Sequence, residues 1–357
     1  MKTVHFFIVS ICVILVSELR SQTVLKANGS TETYSLINSV LAPGYTAVEP
    51  PDCSHTDFGP HIDQVFDAEL QQYVFRFQIH TSPDNDRCIS FDRQRNEIKT
   101  YDSSPDNLKA TIGENVVYKW KFKLPANFQP SSNFTHIHQI KAVGGSEESM
   151  PLITLTPRKA SPNRLELRYS DHLDQITLTQ IDLSKVLDRW IQATETIGVG
   201  EHGSYSLLLE DIADKSIVLN YAQADTRVWK TDADFLRPKW GIYRSLLDKA
   251  SLRDEMLYFA DFSIEEKSDL PEALSTLRPN AKQYSIYPNP AATHFTIKDL
   301  VILPNDTALL YNAKGQLLQT FSLQTNQIAI STLVPGAYYL VLRNNRLTKA
   351  YIPFVKE

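Results

Sequence analysis

Cysteine is scarce in this sequence: three residues among 357, at Cys12, Cys53 and Cys88. None of them has the close paired spacing of a cysteine zinc site, so no zinc centre of that kind is expected. Neither sign of charge is in large excess. The formal net charge is −5, and nothing in this balance indicates nucleic acid as a partner. Beyond the N-terminal segment, no apolar run is long enough to cross a membrane.

The N-terminal segment has the pattern of a signal peptide. Lys2 supplies one positive charge, an apolar run occupies most of residues 6–16, and Ser21 is a small residue near the expected cleavage point. A membrane span needs about 20 apolar residues, and this run is shorter. We predict that residues 1–21 are removed on export; lipidation of Cys12 is the alternative.

Removal of this segment leaves Cys53 and Cys88, an even number of cysteines in an oxidising compartment. We predict a disulfide between them. Two buried free thiols are the alternative.

The length of the chain indicates more than one domain. Hydrophobic residues at 42% and charged residues at 22% are typical of a folded globular protein. Composition shifts divide the chain into an N-terminal arm or edge strand (22–45), a large domain (46–266), a polar linker containing two prolines (267–283) and a small domain (284–357). We expect the mature protein to be a monomer.

The large domain is predicted to be all β. Short segments alternate apolar and polar residues, as half-buried antiparallel strands do, and Pro, Gly, Asn and Asp separate them. The clearest are residues 72–80, 115–124, 152–156 and 164–169. Many short strands favour a sandwich or jelly roll. Helical pattern is confined to 183–191 and 245–253.

The small domain reads as a β-sandwich with Asn-Pro, Lys-Gly and Pro-Gly turns. Three segments of this domain resemble the C-terminal sorting domain of the type IX secretion system. They are Tyr284-Ser-Ile-Tyr-Pro-Asn-Pro290, residues 309–318 and residues 328–342. The resemblance implies the secretion machinery as a partner and export to the cell surface or medium. It implies nothing about the chemistry, which belongs to the large domain.

The segment 92–101 is the first candidate for binding. In a strand, Arg93, Arg95, Glu97, Lys99 and Tyr101 lie on one face. Three cations in a row repel one another unless an anion neutralises them, and guanidinium groups bind carboxylates through two hydrogen bonds. The row therefore indicates an anionic ligand; a solvent-exposed strand face is the alternative.

The segment 134–141 is the second. Strict alternation places His136 and His138 on one face and Gln139 and Lys141 on the other. A metal needs a third ligand, which the neighbouring sequence does not suggest, so we expect no metal here and favour a proton acceptor. Structural histidines are the alternative.

The segment 237–245 is the third. Lys239, Gly241 and Tyr243 share a face in a strand. The glycine leaves room for a ligand to approach the backbone. Tyr243 is a candidate for proton transfer beside cations, and a core tyrosine is the alternative.

Together the three segments resemble the motifs of alginate-lyase-type polysaccharide lyases, which have a concanavalin-like β-jelly roll. Arg95-Asn-Glu-Ile-Lys99 is similar to the family's Arg-Thr-Glu-Leu-Arg strand, His136-Ile-His138 to its Gln-Ile-His strand, and Lys239-Trp-Gly-Ile-Tyr243 to its Lys-Ala-Gly-Xaa-Tyr strand. The resemblance covers residues 55–265, in the family's chain order. Glucuronan lyases and heparin lyase I also use a His and a Tyr on such a sheet, so the uronate polymer stays open.

The resemblance implies β-elimination on an acidic polysaccharide. Arg95, with His136 or Gln139, would neutralise the uronate carboxylate. Tyr243 or His138 would remove the C5 proton, and Tyr243 would protonate the leaving O4. The predicted substrate-binding residues are Arg93, Glu97, Lys99, Lys141, Lys239 and Arg244.

Two other classes stay open. A glycoside hydrolase needs two carboxylates, for which Glu166, Glu195 and Glu201 are candidates. A non-catalytic carbohydrate-binding protein would keep Arg95 and exposed aromatics such as Trp229 and Trp240. No cofactor is expected to be required; a structural Ca²⁺ is allowed by the loop acids Asp211, Asp225 and Asp232.

Overall fold

The computed structural model of the protein describes residues 22–267, 284–298, 300–302, 306–312, 317–344 and 347–357. The predicted signal peptide and residues 268–283 of the predicted linker lie outside these ranges. The chain divides into two compact units, Met1–Pro271 and Glu272–Glu357. Among the described residues, no helix has the length and apolar character to cross a membrane.

The first unit is built almost entirely of strands, with one α-helix, α1 (Thr33–Leu41). In chain order the strands are β1 Gln22–Leu25, β2 Val48–Glu49, β3 Ile62–Asp67, β4 Gln72–Ile79, β5 Arg93–Lys99, β6 Asn115–Lys123, β7 Thr135–Val143, β8 Ile153–Arg158, β9 Arg164–Tyr169, β10 Ile176–Asp182, β11 Ile191–Gly198, β12 Gly200–Asp211, β13 Ile217–Val228, β14 Phe235–Ser245 and β15 Glu255–Lys267.

These strands form two stacked antiparallel sheets, which confirms the predicted concanavalin-like jelly roll. The eight-stranded sheet has the order β13-β12-β11-β6-β15-β4-β3, with β1 paired to β15. The seven-stranded sheet has the order β10-β9-β8-β7-β14-β5-β2. Strands that are adjacent in a sheet are often distant in sequence. Residues of β5, β7 and β14 therefore become neighbours only in the folded chain.

Alternating side chains build the core between the sheets. On β6, Val116, Tyr118, Trp120 and Phe122 are buried, and they belong to the same core cluster as Trp240 of β14. Fully burying one such apolar side chain contributes about 1.5–3 kcal/mol, and the period of two decides which face each residue joins.

Residues 22–45 supply the strand that the sequence allowed, β1, which pairs with β15. They also form helix α1, which the sequence did not predict and whose Ile37 and Leu41 enter the core. The segments 183–191 and 245–253 are not α-helices. They contain only short 3₁₀ turns, Leu183–Val186 and Lys249–Ser251, and Ile191 already belongs to strand β11.

The predicted disulfide between Cys53 and Cys88 is present, with the Cα atoms 6.3 Å apart. It joins the segment before β3 to the segment before β5. The bond therefore fixes two loops at one end of the sheets.

The second unit contains two small antiparallel sheets around a core of its own, as predicted. Its strands are β16 Ile286–Tyr287, β17 His294–Ile297, β18 Asp306–Asn312, β19 Leu317–Ser322, β20 Gln327–Ala329, β21 Gly336–Asn344 and β22 Leu347–Lys356. One sheet is β16-β17-β20 and the other β19-β18-β21-β22. Phe295, Leu310, Leu340 and Phe354 fill the core.

Candidate active site

One face of the seven-stranded sheet carries the predicted site residues of β5 and β14 other than Arg244. Arg95 pairs in register with Tyr243, and Lys99 with Lys239. Glu97 lies between them and contacts Lys239. We call this surface the polar sheet face. It lies opposite the face that carries Ile98, Trp240 and Ile242 into the core.

A network of ion pairs occupies the middle of the polar sheet face. The Lys239 ammonium lies 2.5 Å from Glu49 Oε2 and 2.9 Å from Glu97 Oε2. Lys99 donates to Glu49 Oε1 at 2.8 Å, and Gln139 donates to Glu97 Oε1 at 2.5 Å. Two buried carboxylates are thus shared among several donors, which is the condition under which buried charges are stable.

The network sets the protonation states of its members. Burial raises the pKa of Glu49, but Lys239, Arg95 and Lys99 outweigh it and hold the pKa well below its usual range. Glu97 follows the same pattern: burial raises its pKa, but Lys239 and Arg95 lower it by more. Both carboxylates are therefore ionised. Burial lowers the pKa of Lys239 to about 8, against the attraction of Glu97.

Tyr243 stands between two arginines. The guanidinium carbon of Arg95 lies 3.7 Å from the centroid of the Tyr243 ring, and Arg93 Nη1 donates to the phenolic oxygen at 3.0 Å. The nitrogens of Arg95 are occupied, because Nε and Nη2 donate to Asp86 at 2.9 and 3.2 Å and Nη1 donates to Glu97. Arg93 is more accessible, with 36% of its side chain exposed, and its Nε and Nη2 donate to the exposed Asp92, both at 2.7 Å.

His136 lies beside Tyr243. The ring centroids are 6.0 Å apart, and Phe134 stacks on His136 at 5.1 Å. The Thr156 hydroxyl donates to Thr154 Oγ1 at 3.0 Å, so its oxygen is an acceptor for His136 Nδ1, 2.8 Å away. This arrangement leaves Nε2 as the ring acceptor.

The imidazole of His136 is neutral. Burial lowers its pKa to about 3, and the cations Arg158, Arg95 and Arg168 contribute in the same direction, while Glu97 opposes them. The ring therefore has a lone pair on Nε2 that can accept a proton, while its lowered pKa makes it a weaker base than an ordinary histidine.

The prediction that His136 and His138 share a face is wrong. His138 lies in the core, where its Nε2 is 2.7 Å from Glu195 Oε2 and its ring is 4.2 Å from that of Trp120. Gln139 joins His136 on the polar sheet face instead. The cause is a register shift between β14 and β7, which falls between Trp240 and Tyr243.

Gly241 stands at this shift. It has φ +139°, and a Cβ atom there would lie 2.2 Å from the Asn96 carbonyl oxygen and 2.8 Å from the Glu97 Cα. The glycine therefore permits close approach of β5 and the irregular backbone. Our expectation that it leaves room for a ligand is wrong, since the neighbouring strand occupies that space.

Arg244 does not join the predicted binding residues. It follows Tyr243 in the strand, so it points to the other side of the sheet, where it is fully buried and donates to Gln94 Oε1 at 2.8 Å. Trp240 and Trp229 are also buried, at 0% and 7% exposure, so neither is the exposed aromatic that a sugar-binding surface was expected to offer.

Two cations of the polar sheet face have no ion pair with any described carboxylate. Lys141 and Arg237 are register neighbours on β7 and β14, and Arg237 Nη1 donates only to the Thr100 carbonyl oxygen, at 3.0 Å. Burial lowers the pKa of Lys141, and the nearby Arg237 and Arg95 lower it further. Repulsion between these cations makes this part of the face suited to an anionic ligand.

Several residues of the site were not predicted. Glu49, Asp86, Phe134 and Thr156 hold the predicted cations and rings in place. Glu49 comes from the two-residue strand β2, which has no readable alternation. A weak signal existed for Asp86, because an acidic loop precedes a basic strand.

The acids considered for a hydrolase do not come together. Glu195 of β11 is buried in contact with His138 and Tyr205. Glu166 forms ion pairs with Arg158 and Arg168. Glu201 forms an ion pair with Arg227. Among the loop acids considered for calcium, Asp211 pairs with Arg189 and Asp225 with His202.

Comparison with known proteins gives one family match. Residues 285–352 match the model of the secretion system C-terminal sorting domain. By this C-terminal domain the protein is marked for type IX secretion. It is extracellular or displayed at the cell surface, as the sequence of the small domain predicted.

Solved structures that this chain is similar to include polysaccharide lyases. They include an endo-β-1,4-glucuronan lyase from the fungus Trichoderma reesei (14% identity, TM-score 0.42, 57% of this chain and 86% of that one). An alginate lyase from Aplysia kurodai has 13% identity and a TM-score of 0.45, over 68% and 97% of the two chains. An alginate lyase from Pseudomonas aeruginosa has 15% identity and a TM-score of 0.40, over 62% of this chain and 97% of that one. No curated protein gives a significant match.

Proposed function

We propose that the protein is a secreted polysaccharide lyase that cleaves a uronic-acid-containing polysaccharide by β-elimination and leaves an unsaturated uronate end. The observation that carries this proposal is the juxtaposition of a neutral His136 and a Tyr243 hydroxyl held by Arg93, on a face with unpaired cations. An acid and a base side by side, next to an anion-binding surface, are what this reaction requires.

The cations bind and activate the substrate. Lys141 and Arg237 attract the carboxylates of the polymer, and Arg93 neutralises the carboxylate next to the reacting carbon. The charge that develops on this carboxylate in the transition state is then stabilised by a guanidinium that is already in place. Arg95 supports Tyr243 from below instead, because it is buried and donates to the buried carboxylates of Asp86 and Glu97, whereas the partner of Arg93, Asp92, is exposed.

The elimination divides between the two rings. His136 Nε2 takes the C5 proton, the electrons of the C5–H bond form the C4–C5 double bond, and the C4–O4 bond breaks. Tyr243 gives its hydroxyl proton to O4. Since Arg93 donates to the phenolic oxygen, the Tyr243 proton is free to point at the substrate, and Arg93 stabilises the charge that remains on the oxygen.

The same face argues against acid-base hydrolysis. A glycosidase needs one carboxylic acid that keeps its proton, whereas the pKa values of Glu49 and Glu97 are lowered and both groups are bonded to Lys239. These are the two carboxylates at the centre of the polar sheet face.

The test is product formation by the mature chain on alginate, glucuronan, hyaluronan, heparin and pectin, followed by the ultraviolet absorbance of unsaturated uronate. Tyr243→Phe and His136→Asn should each lower kcat by about 10²–10⁴ on the polymer that is cleaved. Tyr73→Phe, at an exposed tyrosine of β4, is the matched control and should keep full activity.

Other outcomes identify other functions. New reducing ends without unsaturated uronate would indicate a hydrolase. Binding to one polymer without any cleavage would indicate a carbohydrate-binding protein, and a Tyr243→Phe variant with full activity would exclude the proposed acid.

A further inference from the structure

A second cluster of chemistry-bearing side chains lies outside the polar sheet face. His55 follows the short helix Asp52–Ser54, His61 precedes β3, His80 follows β4, and Asp84 lies in the loop that leads to β5. One ligand atom from each residue lies within 4.8 Å of the others. Three imidazoles and one carboxylate therefore converge on one point.

Asp84 is at the centre of this cluster and its side chain is fully buried. Its Oδ2 accepts a hydrogen bond from the backbone N–H of His80 at 2.6 Å, which fixes the orientation of the carboxylate. The other oxygen, Oδ1, lies 2.9 Å from His55 Nδ1 and 3.3 Å from His61 Nε2. The His80 Nδ1 atom is 3.2 Å from Oδ2.

The three nitrogens approach the two oxygens of one carboxylate, and the four ligand atoms lie within 4.8 Å of one another, close to the spacing of ligands around one ion. Zinc takes nitrogen and oxygen ligands at about 2.0–2.1 Å, and a tetrahedron with such bonds places its corners about 3.3 Å apart. The nitrogen-to-oxygen distances of 2.9, 3.2 and 3.3 Å require only small adjustments to reach this geometry.

His61 gives an independent indication of a ligand. Its side chain is completely buried, and its Nε2 makes no well-aligned hydrogen bond: the nearest polar atom is Asp84 Oδ1, at 3.3 Å. The other ring nitrogen, Nδ1, lies 2.7 Å from Asp52 Oδ1, and Tyr34 donates to the second oxygen of Asp52 at 2.9 Å. Metal-binding histidines commonly have this arrangement, in which one ring nitrogen is hydrogen-bonded to a carboxylate and the other ring nitrogen binds the metal.

The surroundings also suit a fixed site. The Phe58 ring lies 4.6 Å from that of His61 and 4.4 Å from that of His80, so an aromatic side chain packs against the imidazoles. The Cys53–Cys88 disulfide joins the two segments that carry His55 and Asp84. The ligands therefore come from a rigid frame, which lowers the entropy cost of bringing them together.

We propose that His55, His61, His80 and Asp84 bind one divalent transition-metal ion, and that this ion is zinc. Three nitrogens and one oxygen match the ligands of zinc, whereas calcium and magnesium take mainly oxygen ligands. Four protein ligands make a closed, structural site, which holds the loop between β4 and β5 against the start of β3. This proposal does not depend on the proposed lyase activity.

The test uses the mature chain after chelator treatment and dialysis. Titration with zinc should give one equivalent bound per chain by calorimetry and elemental analysis. At about a hundredfold excess over the dissociation constant, zinc should raise the melting temperature by about 5–10 °C. Cobalt should give the visible absorption of a tetrahedral nitrogen–oxygen site.

Variants identify the ligands. Asp84→Asn keeps the shape of the side chain, and His55→Gln replaces a half-buried ligand if Asp84→Asn fails to fold. Each should lose the cobalt spectrum and most of the zinc-dependent rise in melting temperature. His202→Gln, at an exposed histidine paired with Asp225, is the matched control and should behave as the wild type.

The proposal is overturned if the chelator-treated wild type takes up no zinc and melts at the same temperature with and without it. In that case hydrogen bonds alone hold the cluster together. It is also overturned if zinc binds equally well to the wild type and to folded Asp84→Asn and His55→Gln variants, since the ion then lies elsewhere.

Discussion

Arg95 lies under the ring of Tyr243, with its guanidinium carbon 3.7 Å from the ring centroid, and its nitrogens donate to Asp86 and Glu97. The residue thus joins the proposed acid to the ion-pair network of the sheet. A planar guanidinium makes both kinds of contact at once, and an ammonium does not. The position of the Tyr243 hydroxyl depends on this stacking.

We therefore expect Arg95→Lys to lower kcat by about tenfold to a hundredfold with little change in KM, because a small misplacement of a catalytic group has an effect of this size. The comparison is with Arg93→Lys, which should raise KM as well. Kinetics on the cleaved polymer measure both. Equal changes in KM for the two variants would show that Arg95 binds substrate directly.

His136 should make the stability of the protein depend on pH. Its pKa is lowered from the ordinary 6.5 to about 3, so the unfolded chain binds a proton that the folded protein does not between these values. The unfolding free energy attributable to His136 is fully present above pH 6.5 and is lost as the pH falls, by up to about 1.4 kcal/mol per pH unit.

The measurement is chemical denaturation of the wild type and His136→Gln between pH 6.5 and 4.5. The variant should lose less stability than the wild type over this range. Parallel curves for the two proteins would contradict a neutral buried imidazole.

Lys239 should matter for stability because it is buried between Glu49 and Glu97. Lys239→Met leaves two buried carboxylates without their shared cation, and removing one partner of a buried pair costs about 3–5 kcal/mol. Lys123→Met is the matched control, since its partner Glu69 is exposed and such pairs contribute about 0–1 kcal/mol.

Unfolding in urea at pH 7 gives both values. A loss of less than 1 kcal/mol for Lys239→Met would mean that the two carboxylates are solvated or protonated once the lysine is gone.

The disulfide should stabilise the large unit. Cys53 and Cys88 are separated by 35 positions, and the chain-entropy relation gives about 4 kcal/mol for a loop of this length. We expect the double variant Cys53→Ser/Cys88→Ser to lose about 2–4 kcal/mol of unfolding free energy, measured with chelator present so that metal binding does not contribute. An unchanged denaturation midpoint would contradict this.

Arg93 and Arg244 allow an arginine at the surface to be compared with an arginine in the core. Arg93→Met should raise KM for the polymer about tenfold or more, because a half-exposed cation beside Tyr243, paired only with the exposed Asp92, is lost. Arg244→Met should leave KM unchanged in the folded enzyme, since Arg244 is buried on the other side of the sheet. A matching rise in KM for Arg244→Met would show that the core arginine reaches the substrate.

Much of the site followed from local sequence. The alternation of β5 predicted that Arg93, Arg95, Glu97 and Lys99 share a face, and the structure has this arrangement. The same rule failed on β7, where His138 enters the core, because the register shift opposite depends on how closely β5 and β14 approach at Gly241. No property of residues 134–141 contains that information.

The sequence alone determined the all-β class, the pairing of the two remaining cysteines, the sorting domain and the polar faces of β5 and β14. Each of these follows from side-chain periodicity, from counting or from a contiguous motif. Only the tertiary structure decided the placement of His138 and Arg244 in the core, the entry of Glu49 into the ion-pair network and the convergence of His55, His61, His80 and Asp84. These relations join segments that are distant in the chain, and the packing of one strand against another sets them.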